Sequence, residues 1–287
     1  MMHGSPCSNI SDMRPLLLLS VALILTGCTN VFFQPHKTHY ITPDKIGLVY
    51  EDVYFNSSDG VKLHGWWLPA KGKARGTILF LHGNAENIST HIASVHWLPA
   101  QQYNVFLPDY RGYGKSEGSP SLEGAQRDIN SAMKYLLQRP DVDTERIVML
   151  GQSLGGALSY YNVAHSPYRA KIKALIADSA FSDYRGIVRE KLGAFWLTWP
   201  LQWPLSFTID NDYSPMLTID KIGPIPLLII HGDQDQVVPL SHGQALFDKA
   251  AQPKEMWVVE GGRHIDAFRK KKYQEQLLIY LPKVLPP

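Results

Sequence analysis

Short apolar runs recur along the chain, each parted from the next by a helical pattern or a glycine-punctuated turn. Residues 77–81, 104–107, 147–150, 174–177, 227–230 and 256–259 are almost continuously apolar. Strands buried on both faces of a sheet have this appearance, because neither side needs polar positions. Between them the spacing predicts helices over 89–101, 121–138, 154–164, 240–251 and 266–281. In 121–138, Ser121 supplies a cap and Ile129, Met133 and Leu136 fall on one face. Ahead of these, 51–56 and 61–68 alternate around Ser57-Ser-Asp-Gly60 and predict an antiparallel hairpin. Short crossovers between strand and helix require a mostly parallel, doubly wound α/β sheet covered on both faces.

Residues 181–223 break this rhythm and carry Trp196, Trp199 and Trp203 among prolines. A doubly wound sheet needs no extra mass there, so the segment is read as a short cap. Its tryptophans are expected to wall the substrate pocket in preference to dipping into a membrane.

Length and composition add bounds. The 287 residues are 45% hydrophobic and 19% charged, enough for one α/β domain with a large core, assigned here to 43–287. A net charge of +2 gives no reason to expect nucleic acid as a partner, and the two cysteines exclude a cysteine-rich zinc site. No cofactor or metal is expected.

The N-terminus reads as a targeting segment. Arg14 precedes the apolar run 15–25, which is too short for a membrane span. The run ends in Leu25-Thr-Gly-Cys28, which resembles a bacterial lipobox, with 1–27 as signal peptide and Cys28 as the acylated residue. A start at Met13 gives the tidier signal, because it removes Asp12. Residues 28–42 are read as a tether. Thr29, in place of an aspartate, resembles lipoproteins of the outer membrane. The expected location is therefore the bacterial cell envelope, lipid-anchored to the outer membrane and facing the periplasm.

The chemistry centres on Gly151-Gln-Ser-Leu-Gly155, where an apolar strand turns into a helix. A serine on such a sharp turn has its hydroxyl lifted clear of the sheet, and flanking glycines avoid collisions with neighbouring elements. A serine hydroxyl is a weak nucleophile and needs a base, an orienting acid and an oxyanion site. Parallel sheets place such groups at the C-terminal ends of their strands. Ser153 ends the 147–150 run, Asp235 follows 227–230 and His264 follows 256–259. The chain order Ser, Asp, His is that of α/β-hydrolases.

Several stretches together resemble the α/β-hydrolase superfamily, and within it the serine-hydrolase group of Bem46 and the alpha/beta-hydrolase domain-containing 13 proteins. They are Leu81-His-Gly-Asn-Ala-Glu-Asn-Ile-Ser89, Asp109-Tyr-Arg-Gly-Tyr-Gly-Lys-Ser116, Gly151-Gln-Ser-Leu-Gly-Gly156, His231-Gly-Asp-Gln-Asp-Gln-Val-Val-Pro239 and Gly261-Gly-Arg-His264. The resemblance implies Ser153 as nucleophile, His264 as base and Asp235 as its acid, with Asp233 the rival. It implies backbone N–H groups of Asn84 and Leu154 as the oxyanion site. His82 and His231 are read as structural. Two positions depart from the family pattern: Glu86 replaces a glycine and is expected to point to solvent, and Arg263 replaces a smaller residue and could meet a polar part of a substrate. The expected activity is hydrolysis of an ester, thioester or amide through an acyl-enzyme, with small-molecule or lipid-like apolar acyl esters first. A serine exopeptidase and a non-catalytic envelope scaffold are the alternatives.

Overall fold

A computed structural model of the chain describes residues 32–285. The segment 1–27 read as a signal peptide, and Cys28, lie outside the described residues. The core is an eight-stranded sheet ordered β10-β9-β8-β7-β4-β6-β3-β2. Its strands are β2 (Glu51–Asn56), β3 (Lys62–Leu68), β4 (Gly76–Leu81), β6 (Tyr103–Asp109), β7 (Ile147–Gln152), β8 (Ile172–Asp178), β9 (Leu227–Gly232) and β10 (Lys254–Val259). Only the β2–β3 and β3–β6 pairs are antiparallel; the rest run parallel. This is the mostly parallel, doubly wound sheet with an N-terminal antiparallel hairpin that the apolar runs predict.

Side-chain alternation divides the core in two. Leu79, Leu81, Met149, Leu175 and Ile229 face one cluster, with Ile129, Met133 and Leu136 of helix α2 (Leu122–Gln138) and Leu158 of α3 (Leu154–His165). Ile78, Phe80, Val148, Leu150 and Ile176 face the other, with Tyr273, Leu277 and Leu281 of the C-terminal helix α7 (Lys271–Val284). Ser121 caps α2 as expected, its hydroxyl accepting from Gly124 N–H at 3.0 Å.

Two expectations need correcting. The helix predicted over 89–101 is broken into a single turn, α1 (Ile88–His91), and two 3₁₀ turns at Ile92–Ser94 and Pro99–Gln101. Pro99 opens the last of these, where its ring cannot continue an α-helix. The second concerns the tether. Phe32 and Phe33 are buried, and β1 (Gln34–Pro35) pairs in parallel with β5 (Ala85–Glu86). Asn87 Nδ2 donates to the carbonyls of His36 and Thr38 at 2.9 and 2.7 Å. Residues 32–42 are thus bound to the loop after β4, and the folded domain begins at least eleven residues before position 43.

Between β8 and β9 the chain makes the excursion read as a cap. It contains α4 (Tyr184–Gly193) and α5 (Gln202–Phe207), and Asp183 caps α4 at its N-terminus. The last long helix before the C-terminal one, α6 (Leu240–Lys249), follows β9.

Candidate active site

Ser153 occupies a backbone position that few side chains tolerate. Its φ of 53° and ψ of −116° lie between β7 and the first turn of α3. A non-glycine residue there stores strain of about 1–3 kcal/mol, and the structure around it must enforce the turn. The glycines show how. A Cβ on Gly151 would fall 2.4 Å from the Gly155 carbonyl oxygen, and one on Gly155 would fall 2.2 Å from that of Leu81. On Gly156 it would fall 2.8 Å from Ala180 Cβ. Helix α3 therefore lies directly against β4 and β7, and Ser153 N–H is tied to the Asp178 carbonyl at 2.8 Å.

His264 follows a tight turn after β10. Gly261 adopts φ +57°, and Gly262 leaves no room for a Cβ beside Val259. Ser179 Oγ accepts the Ile265 N–H at 3.1 Å, which fixes the far side of the loop. The imidazole then spans two partners. Its Nε2 is 2.9 Å from Ser153 Oγ, and its Nδ1 is 2.7 Å from Asp235 Oδ2. Asp235 is buried, which by itself raises its pKa. The hydrogen bond from His264 and the N–H donors of Val237 and Val238, each at 2.8 Å, outweigh that and hold the carboxyl below the usual range. Asp233, the rival acid, is exposed.

The loop after β4 frames the other side of Ser153. Gly83 sits so close that a Cβ would lie 3.6 Å from Ser153 Cβ and 2.8 Å from the His91 ring. Asn84 and Leu154 both border the cavity at Ser153. Leu154 is the first residue of α3, so its N–H has no partner within the helix. The Asn84 carbonyl is held away by Tyr113 Oη and Gln34 N–H, at 2.6 and 3.1 Å. Below the loop, His82 Nδ1 is 2.7 Å from the Gly83 carbonyl, and burial lowers its pKa. His91 is likewise desolvated, down to about 3, and is a neutral ring. His231 bonds the Val238 carbonyl at 2.8 Å. Each of the three rings meets a backbone carbonyl, His91 that of Ala85 at 3.2 Å. Glu86 is half-buried, with φ 63°, in the left-handed region where glycine is favoured. Glu86 does not border the Ser153 cavity, so its charge is not presented to that site.

The cavity holds about 350 Å³ and opens beside Ser153. Its wall is aliphatic and phenyl: Ile187, Val188 and Leu192 from α4, with Phe32 and Phe181 opposite. Lys191 stands at its edge, its Nζ bonded to the Gln236 carbonyl at 3.0 Å. Trp196, Trp199 and Trp203 are exposed and do not line this cavity, contrary to the aromatic wall expected of them. Arg263 is exposed on an adjoining polar cleft lined also by Gln234, Gln236, His264 and Asp266, which shares Val237 with the cavity.

Asp178 was missed by sequence reasoning. Burial pushes its pKa up to about 6, Gln152 Nε2 donates to it at 2.9 Å, and the nearby His264 draws it down. An ionisable residue directly after the apolar run 174–177 was the available signal. Among the described residues, His39, His64 and Asp109 form the one group with metal-ligand character. Asp109 takes the Ile88 N–H at 3.0 Å and His39 Nε2 at 3.2 Å, and His64 bonds Asp52 at 2.6 Å. The group reads as a buried hydrogen-bond network tying residues 32–42 to the sheet.

A family model described as Serine aminopeptidase, S33, matches residues 72–213. The chain is 36% identical over 274 residues to the uncharacterized protein YfhR of Escherichia coli K12, covering 93% of this chain and 92% of that one. It is 30% identical to protein bem46 of Schizosaccharomyces pombe, over 88% and 86% of the two chains. Among solved structures, an esterase of Pyrococcus furiosus, Pf2001, superposes with a TM-score of 0.70 at 22% identity, over 88% of this chain and 97% of that one.

Proposed function

The chain belongs to the α/β-hydrolase superfamily, in the group that includes bem46, and we propose that it is a serine hydrolase acting on esters of apolar acyl groups. The observation that carries the proposal is the His264 ring, bonded to Ser153 through one nitrogen and to Asp235 through the other. In this reading Ser153 Oγ attacks the acyl carbon while His264 Nε2 accepts its proton. Asp235 keeps the Nδ1–H tautomer and offsets the imidazolium charge. The N–H groups of Asn84 and Leu154 receive the oxyanion; one such donor is worth roughly 10²–10³ in turnover. His264 then returns the proton to the leaving group, and a water activated by the same ring releases the acid and restores Ser153.

The aliphatic cavity supports an apolar acyl group. An aminopeptidase reading, favoured by the description of the family model, needs a carboxylate to receive the substrate ammonium. The aliphatic cavity's lining contains none among the described residues, its charged member being Lys191, and the adjoining cleft holds one, Asp266, among two arginines. Comparing p-nitrophenyl acyl esters with aminoacyl-anilides decides between the two: faster turnover of the anilides would reject the esterase reading. The intact set of Ser153, His264 and Asp235 weighs against a non-catalytic scaffold.

We further propose an envelope location with a lipid anchor at Cys28, on the strength of Leu25-Thr-Gly-Cys28 after the apolar run 15–25. Among the described residues, no helix is long and apolar enough to cross a membrane. Mass spectrometry of the mature protein tests this; an intact segment 1–27 would contradict it.

A further inference from the structure

Residues 194–209 contain no charged side chain. Within them Phe195, Trp196, Leu197, Trp199, Leu201, Trp203, Leu205 and Phe207 are all between 39% and 78% exposed. Eight exposed large apolar side chains within thirteen consecutive residues are uncommon on a soluble monomer and mark a surface that is covered in use. Its composition says by what. Tryptophan is favoured where one end of a side chain meets hydrocarbon and the other meets water. A cation borders the face: the Arg189 guanidinium sits 4.7 Å over the Trp203 ring. The neighbouring Glu190 is engaged by His242 at 3.1 Å. Exposed tryptophans with an arginine stacked among them match the boundary of an anionic bilayer.

The position of the N-terminus points the same way. Phe32 packs on Phe181 and Tyr184, with ring centroids 5.9 and 4.9 Å away, so the chain enters the domain beside α4. Cys28 lies four residues upstream, no more than about 14 Å of extended chain. A lipid anchor at Cys28, as proposed above, would hold the cap side of the domain at the lipid surface.

We infer that the exposed face of residues 195–207 seats in the headgroup–acyl boundary of an anionic bilayer. Docking does not depend on catalysis; its consequence, entry of acyl chains into the α4 cavity from the lipid side, rests on the hydrolase reading.

The test uses the full chain in phosphatidylethanolamine–phosphatidylglycerol vesicles whose acyl chains carry bromine near the headgroup, with tryptophan emission as the readout. Trp196, Trp199 and Trp203 are three of seven tryptophans, so bromolipid should remove up to about 3/7 of the emission. In the variant Trp196→Ser/Trp199→Ser/Trp203→Ser the remaining emission should be insensitive to bromine. Trp196→Ser alone, at the most exposed of the three, gives a partial loss of quenching if the triple variant does not fold. Equal fractional quenching of parent and variants overturns the inference, as does no quenching of the parent. A parent that sediments as a dimer, becomes monomeric in the triple variant and is unquenched by bromolipid assigns the face to a second copy and also overturns it. None of these readouts involves hydrolysis, so an inactive enzyme would leave the result unaffected.

Discussion

Ser153 Oγ stands 2.9 Å from Nε2 of His264, although 111 residues of chain separate them. The distance is set by two neighbouring loops rather than by the pair itself. Ser153 N–H bonds the Asp178 carbonyl at 2.8 Å, and Ile265 N–H bonds the next side chain, Ser179 Oγ, at 3.1 Å. The end of β8 thus holds both partners, one on each side.

Asp235→Asn replaces an acceptor by an amide whose donor would face His264 Nδ1. The ring must then turn or change tautomer, and Nε2 no longer accepts from Ser153. Hydrolysis of p-nitrophenyl butyrate should fall by roughly 10⁴-fold at neutral pH with the fold retained. Because the Asp235 carboxyl lies below its ordinary range, its ionised form favours the folded state at neutral pH, and that contribution is lost as pH falls through its folded pKa. A variant with activity within tenfold of the parent would remove Asp235 from the mechanism.

Asp178 has the opposite sign. Its folded pKa is raised to about 6 from 3.8, so the folded state holds the proton more tightly. The protonated group therefore favours folding fully below about 4, and this is lost as pH rises through 6. Asp178→Asn does not titrate and still offers Gln152 an acceptor. It should be more stable than the parent at pH 8 by up to about 3 kcal/mol, with the difference vanishing near pH 4. Denaturant midpoints across that range check it; a variant weaker than the parent at pH 8 would show that the carboxylate is needed there.

Phe33 is buried and meets Tyr113 edge-on at 6.4 Å, although it lies in the stretch that reads as a tether. Phe33→Ala should cost about 3 kcal/mol in chemical denaturation. An unchanged midpoint would mean that residues 32–42 contribute nothing to the fold.

Glu86→Gly places the residue that tolerates left-handed backbone at φ 63°. Relief of that strain, less the entropy of an added glycine, should leave stability unchanged or up to about 1 kcal/mol higher. A loss above 1 kcal/mol would indicate that the Glu86 carboxylate makes an interaction the protein needs.

The sheet was legible because strands buried on both faces leave continuous apolar runs, and those runs end at Ser153, Asp235 and His264. Asn84 and Leu154 were reached through the family resemblance, and the structure puts both at the cavity. Other features left no pattern to read. A two-residue strand such as Gln34–Pro35 has no periodicity, and its pairing with Ala85–Glu86 is a backbone matter. The outward direction of Trp196 depends on how α4 and α5 sit on the sheet, which composition does not encode. Asp178 resembled an ordinary strand-ending acid until burial made it exceptional.

The central claim is that Ser153 is a nucleophile activated by His264, and covalent labelling tests it most directly. A fluorophosphonate should modify the parent on a single peptide containing Ser153, and His264→Ala should slow that labelling by at least about 10³-fold. Ser153→Ala should take up no label while keeping the parent's circular dichroism. Label retained by folded Ser153→Ala, or a parent that never reacts, would contradict the account.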